Sequence, residues 1–180
     1  PVPLMKLVVC AKEVLDPDAV NSYALAGRLT IGADGRTLTQ SAIPRLINAY
    51  DEQAIEAALR IRDAGAPAAI HVVSVGRELS NLLRHASALG ADEVAEIALD
   101  APDPDCHVIA RILAAYVRSI GGADLVLCGR QASDDDQGVV PVLIGEKLGL
   151  PIAPLARDVA LNGSTPKVTR ATPHGDEVVE

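Results

Sequence analysis

The segment with the most chemical promise is Gly129-Arg130-Gln131-Ala132-Ser133-Asp134-Asp135-Asp136-Gln137-Gly138. It follows a short apolar run, Leu125 to Cys128. It leads through Val139 and Val140 into a helical pattern spanning Gln137 to Leu148. A strand, a polar glycine-containing loop and a helix N-terminus together aim free backbone N–H groups and the positive end of a helix dipole at one spot, which suits an anion such as phosphate. Three successive carboxylates complicate that use, because they repel a phosphate unless they face away or hold a cation. The residues alone leave three readings open: the aspartates cap the helix, they face outward around a backbone phosphate cradle, or they bind magnesium.

The other candidates are weaker. Lys12-Glu13 closes the first apolar run and could meet a phosphate, although a solvated pair is the plainer reading. Cys10 and Cys128 sit in apolar runs, where a thiol behaves as a small hydrophobe with a raised pKa. His71 falls in a strand pattern, His85 and His107 in helical patterns, and His174 in a turn, none with a partner at ligand spacing. There is no GxGxxG, no GxxxxGK[ST], no GxSxG and no HExxH. No nucleophile–base pair or acid–base dyad stands out, which favours binding or carrying over hydrolysis.

Elements that would position these residues follow from apolar periodicity. Leu7 to Ala11, Ile70 to Val75, Val94 to Leu99 and Leu125 to Cys128 read as strands buried on both faces. Asp51 to Ala64, Glu78 to Leu89, Asp105 to Ile120 and Gln137 to Leu148 read as the helices between and after them. Strands alternating with helices of this length imply right-handed βαβ units and a parallel sheet, hence an α/β fold. Arg28 to Thr39 reads as a hairpin around Gly32-Ala33-Asp34-Gly35. Asp158 to Val179 reads as an antiparallel meander that stops near Glu180 with an open edge. Residues 1–150 are expected to form the α/β domain that carries the ligand crevice, with 151–180 as an antiparallel meander of the same domain. In an open α/β sheet the ligand crevice lies outside the carboxyl ends of the strands where strand order reverses. Three segments end there: Cys10-Ala11-Lys12, Ser74-Val75-Gly76 and Cys128-Gly129-Arg130.

Composition narrows the function. The chain has 180 residues, 29 of them Ala, with three Tyr and no Phe or Trp. Its core must use Val, Leu, Ile and Ala, and it lacks the aromatic platforms on which single-stranded nucleic acids stack. The net charge of −8 also speaks against nucleic acid and anionic membranes. No apolar run approaches the ~18 residues of a membrane span. Pro1 to Met5 shows no basic region followed by a long apolar stretch, so no secretory signal is expected, and Met5 is a plausible initiator. Three sparse cysteines without CxxC suggest reduced thiols in the cytoplasm.

Four segments resemble the β subunit of electron transfer flavoproteins, in that family's order. Lys6 to Val14 is similar to its opening K-x-(apolar)-V-x-x-K-x-V. Asn48-Ala49-Tyr50-Asp51-Glu52 and the residues to Arg60 resemble N-P-F-D-E-x-A-(apolar)-E-E-A-L-R. Ala86 to Asp92 resembles A-L-A-M-G-A-D. Asp124 to Asp136 resembles D-L-V-L-x-G-K-Q-A-x-D-D-D, the most specific of the four. The resemblance implies a Rossmann-like parallel sheet of the adenine-nucleotide α-hydrolase type, with the hairpin and meander as small antiparallel additions. It implies a heterodimer with an FAD-carrying α subunit, which takes electrons from flavin dehydrogenases and passes them to an acceptor, with AMP held in the β subunit.

Carried over by position, the AMP contacts fall on Cys10, Asn48, Ala49, Tyr50, Asp51 and Val75. They continue through Gly129, Arg130, Gln131, Ala132, Ser133, Asp134, Asp135, Asp136, Gln137, Gly138, Val139 and Val140. Tyr50 matches an aromatic position near the flavin. The chain departs from the family where Gln137-Gly138-Val139-Val140-Pro141 replaces a run with polar side chains that help hold the phosphate. Backbone N–H groups are left there, less the one that Pro141 lacks. Ala49 stands where the family has Pro, and the family's sequence continues past the meander. A stand-alone adenine-nucleotide module of the universal-stress-protein type is the alternative, although its glycine-rich phosphate loop is not found here.

Overall fold

The structure is a computed structural model describing residues 4–39, 41–101 and 104–180, so Pro1 to Pro3 of the opening segment lie outside it. Four parallel strands form the central sheet: β1 (Met5–Cys10), β4 (Ala68–Gly76), β5 (Glu93–Ala98) and β6 (Leu125–Cys128). Their spatial order is β5-β4-β1-β6. The chain steps outward from β1 to β4 and β5, then crosses back to lay β6 on the other side of β1. Strand order therefore reverses between β1 and β6, and the crevice rule places a ligand outside their carboxyl ends. Between β1 and β4 come β2 (Glu13–Leu15), α1 (Pro17–Leu25), β3 (Arg45–Ile47) and α2 (Ala49–Asp63); β2 and β3 pair antiparallel.

The alternation of the strands sorts the core into two layers. Leu7, Val9, Ile70 and Val72 pack under Ile55, Ala58 and Ile61 of α2 and Leu82 and Ala86 of α3 (Ser80–Leu89). Val8, Cys10 and Val73 pack on the opposite side under Ala110, Leu113 and Val117 of α4 (Cys106–Ser119) and Ile144 of α5 (Val140–Leu148). Each Val, Leu or Ile buried in this way contributes roughly 1.5–3 kcal/mol. Fully buried Ala58, Ala86, Ala110 and Ala114 let helix backbones approach the sheet closely, which is how a core without Phe or Trp closes.

The tail forms an antiparallel sheet, β7 (Ala156–Asn162), β8 (Thr165–Thr172) and β9 (Gly175–Val179). Val159 and Leu161 of β7 pack against the cluster on the α2 side.

Several elements differ from the sequence-based expectation. The Arg28–Thr39 hairpin reduces to a single bridge, Ile31 to Leu38. The strands still pair, with the Gly32 amide donating to the Thr37 carbonyl at 2.7 Å and the Thr39 amide to the Thr30 carbonyl at 2.9 Å, and Asp34 closes the turn by accepting the amides of Arg36 and Thr37. β5 and β6 are edge strands and only half-buried, with Val94 38% exposed. A continuous apolar run cannot distinguish an edge from a centre. The fifth helix begins at Val140 rather than Gln137, because Asp136 and Gly138 adopt left-handed backbone angles (φ 50 and 61) that interrupt a helical path.

Candidate functional site

At the switch point, three segments are tied together by two buried polar side chains. β1 runs out through Ala11 into Lys12, and α2 begins beside it. Asn48 precedes α2, and Asp51 lies in its first turn; they are 1% and 6% exposed. The Asp51 carboxylate accepts the Lys12 amide at 2.9 Å, the Gly129 amide at 2.9 Å and the Asn48 side-chain amide at 3.2 Å. One side chain thus spans the ends of β1 and β6. Asn48 does not cap α2. Its Nδ2 donates to the Gln131 carbonyl at 2.8 Å, and its Oδ1 accepts the Ser133 amide at 3.3 Å. Its backbone N–H donates to the Lys12 carbonyl at 2.9 Å.

Burial pushes the Asp51 carboxyl up to about 6, with the three donors pulling the other way. Gly129 is needed for this closeness. A Cβ there would stand 2.3 Å from Asp51 Oδ1 and 2.8 Å from the Tyr50 carbonyl carbon. At the far end of the loop a Cβ on Gly138 would stand 2.9 Å from the Arg130 carbonyl oxygen. The segment from Arg130 to Gly138 therefore closes on itself.

The three aspartates have partners within this arrangement. Lys12 Nζ lies 2.7 Å from Asp134 and 3.1 Å from Asp135. Asp136 accepts from the Gln131 side chain at 2.7 Å. Asp135 also takes the Gln137 amide at 3.1 Å. None of the three caps α5, whose N-cap is Val139 without a side-chain hydrogen bond, so the capping reading is corrected. The Lys12 ammonium stands between Asp134 and Asp135, and among the described residues no three His, Cys, Asp or Glu side chains are placed to hold a metal ion. Among the described residues, the amides of Gly138, Val139 and Val140 take no hydrogen bond. Three donors and an uncapped dipole end are left beside carboxylates already engaged, an arrangement that fits a phosphate.

The electron transfer flavoprotein domain model matches residues 36–180. This chain belongs to the electron transfer flavoprotein family, among its β subunits. It is 34% identical over 178 residues to the electron transfer flavoprotein subunit beta of Clostridium acetobutylicum, covering 98% of this chain and 64% of that one. To the caffeyl-CoA reductase-Etf complex subunit CarD of Acetobacterium woodii it is 32% identical, with the same coverage. To the mitochondrial subunit beta of Oryza sativa subsp. indica it is 30% identical, covering 97% and 67%. The chain thus spans 64% of the length of the first two of these relatives.

The residues carried over from the β-subunit resemblance lie in three places. Cys10 ends β1 and is buried, and Val75 lies half-buried near the end of β4. Asn48 to Asp51 open α2, with Ala49 exposed and Tyr50 half-buried. Gly129 to Val140 form the loop and the start of α5, with Arg130 and Asp134 to Gln137 exposed. All of them lie on the carboxyl side of the sheet. Two surface depressions lie elsewhere, one between α2 and β7 and one along α4 and α5.

Lys12 is the residue that sequence reasoning undervalued. It read as a solvated partner of Glu13, whereas Glu13 pairs with Arg45. The available signal was its place at a strand end opposite three carboxylates. Such pairing is visible only once β1 and β6 are known to be neighbours.

Proposed function

We propose that this chain binds AMP at the switch point between β1 and β6 and, joined to an FAD-carrying α subunit, serves as the non-catalytic subunit of an electron carrier. In this reading electrons enter from flavin dehydrogenases and leave to a further acceptor. The observation behind the AMP assignment is the uncapped start of α5, with three free amides beside a loop whose carboxylates are held by Lys12 and Gln131. The Gly138, Val139 and Val140 amides would hold the phosphate. Cys10, Val75 and the Asn48–Asp51 segment would border the nucleoside, with Asn48 and Asp51 acting through the loop they hold.

Tyr50 would form part of the wall against the flavin, where an aromatic ring packs well on a flat cofactor. FAD, when bound, supplies the one- and two-electron chemistry. This chain's residues bind, orient and exclude water. The names of two relatives support a carrier role. One is a subunit of a caffeyl-CoA reductase-Etf complex, and another, from Anaerotignum propionicum, is an acryloyl-CoA reductase electron transfer subunit. No helix among the described residues is long and apolar enough to cross a membrane, and three free thiols fit the reducing cytoplasm.

Calorimetric titration of AMP into the purified chain and its Gly138→Pro variant tests the cradle. Proline has no N–H and cannot adopt φ +61. Saturable binding is expected for the wild type and at least about tenfold weaker binding for the variant, a loss of ~1.4 kcal/mol. Equal affinities would remove the Gly138 segment from the site.

A further inference from the structure

Cys10 and Cys128 are the last residues of β1 and β6, and they stand directly side by side in the parallel register. Neighbouring strands are ~4.7–4.9 Å apart, within the ~4.4–6.8 Å between Cα atoms that a disulfide spans. Both side chains belong to the cluster beneath α4 and α5, so both thiols project from the same face of the sheet. The third cysteine, Cys106, begins α4.

Access to the two differs. Cys10 is 7% exposed, whereas Cys128, on an edge strand, is partly open to solvent. The neighbouring Cys128 thiol, followed by burial, pushes the Cys10 pKa well above its ordinary value, so Cys10 stays a protonated thiol at neutral pH. A solute therefore meets Cys128 first, with Cys10 behind it as the second thiol.

We propose that Cys10 and Cys128 form a redox-active dithiol that closes to a cross-strand disulfide when the chain meets a hydroperoxide. The Cys128 thiolate attacks the peroxide; the O–O bond breaks, and one oxygen leaves as water after taking a proton. Cys128 is then a sulfenic acid. The Cys10 sulfur attacks the Cys128 sulfur and displaces hydroxide, which leaves as water with the Cys10 proton. With hydrogen peroxide, two thiols lose two electrons and two protons, one peroxide is reduced, and two waters form. The bond cross-links the two strands on either side of the switch point. It requires no bound nucleotide, so its test is independent of the AMP reading.

The experiment treats the purified chain with stoichiometric hydrogen peroxide, then denatures it, alkylates free thiols and maps the peptides by mass spectrometry. Alkylatable thiols are expected to fall from three to one, with Cys106 left free. The Cys10 and Cys128 peptides should be joined with loss of two hydrogen atoms. Dithiothreitol should restore all three thiols, and the oxidised chain should melt at a higher temperature. Cys106→Ser should still form the bond, and Cys128→Ser should not. Three thiols surviving treatment, Cys106 appearing in the bond, or Cys128 accumulating as sulfinic acid with Cys10 still free would each overturn the proposal. The decisive readouts come from the wild-type chain, so they stand even if a variant folds poorly.

Discussion

α4 and α5 pack on the same face of the sheet, and both begin at its carboxyl edge, yet they begin differently. Asp105 stands just before α4, and its carboxylate accepts the Val108 amide at 2.8 Å. Val139 stands just before α5, which has no side-chain cap and a proline in its first turn. Three aspartates lie only a few residues upstream of α5, but the left-handed turns at Asp136 and Gly138 separate them from its first turn, and Lys12 and Gln131 hold them. One helix start is thus closed by its own carboxylate, and the other has no side-chain cap. Acidic residues before a helix do not show by their presence which of these holds; the backbone angles between them and the first turn decide it.

Variants at the two helix starts should separate their roles. Gly129→Ala should have the largest effect, because its Cβ would fall 2.3 Å from Asp51 Oδ1 and the β1–β6 tie would have to open. A loss of about 3 kcal/mol in urea unfolding is expected, together with loss of AMP binding. An unchanged unfolding midpoint would show that the tie is loose.

Asp51→Asn should follow, at about 1–3 kcal/mol, since an amide in place of the carboxylate leaves a buried N–H donor facing an N–H donor. This variant also carries a pH signature. The Asp51 pKa is raised from 3.8 to about 6 on folding, so the folded chain holds the extra proton between those values. Stability from this group is fully present below the unfolded pKa of 3.8 and is lost as pH rises toward 6. The loss amounts to roughly 3 kcal/mol at neutral pH at the ~1.4 kcal/mol that each pKa unit represents. Unfolding free energy measured from pH 4 to 7 should therefore fall less steeply in Asp51→Asn than in the wild type. Parallel curves would assign the slope to another group.

Lys12→Met should change stability by less than about 1 kcal/mol, because its ion pairs are solvent-screened. It should nevertheless weaken AMP roughly tenfold, a loss of ~1.4 kcal/mol, by leaving two carboxylates uncompensated near the phosphate. Full AMP affinity in this variant would show that the Asp134–Asp135 charge does not reach the site. Asp105→Ala should cost about 1 kcal/mol of stability and leave AMP affinity unchanged. A change in AMP affinity there would end the contrast between the two helix starts.

The layered core was legible in the sequence because Leu7 to Ala11 and Ile70 to Val75 are apolar without interruption, and the helical stripes between them are regular. That the candidate residues gather at the carboxyl edge followed from the same alternation. The edge positions of β5 and β6 were not legible, because burial on one face or two depends on which strands are neighbours. The Arg28–Thr39 hairpin was legible from its Gly32–Gly35 turn, although its pairing is shorter than the apolar and polar runs suggest. Family resemblance named Asp51 and Asn48 as nucleotide contacts, whereas the structure shows them tying the loop to the ends of β1 and β6. Their bonds to Lys12, Gly129, Gln131 and Ser133 depend on tertiary neighbours far apart in sequence.

Direct identification of a bound nucleotide tests the central claim most simply. The purified chain is incubated with excess AMP, desalted and heat-denatured, and the supernatant is resolved by reverse-phase chromatography with detection near 260 nm. The absence of Trp and the presence of only three Tyr keep the protein's own absorbance low. One AMP released per chain, and markedly less from Gly138→Pro, is the predicted result. A nucleotide-free supernatant, or equal AMP from both proteins, would contradict the assignment of the α5 start as the phosphate site.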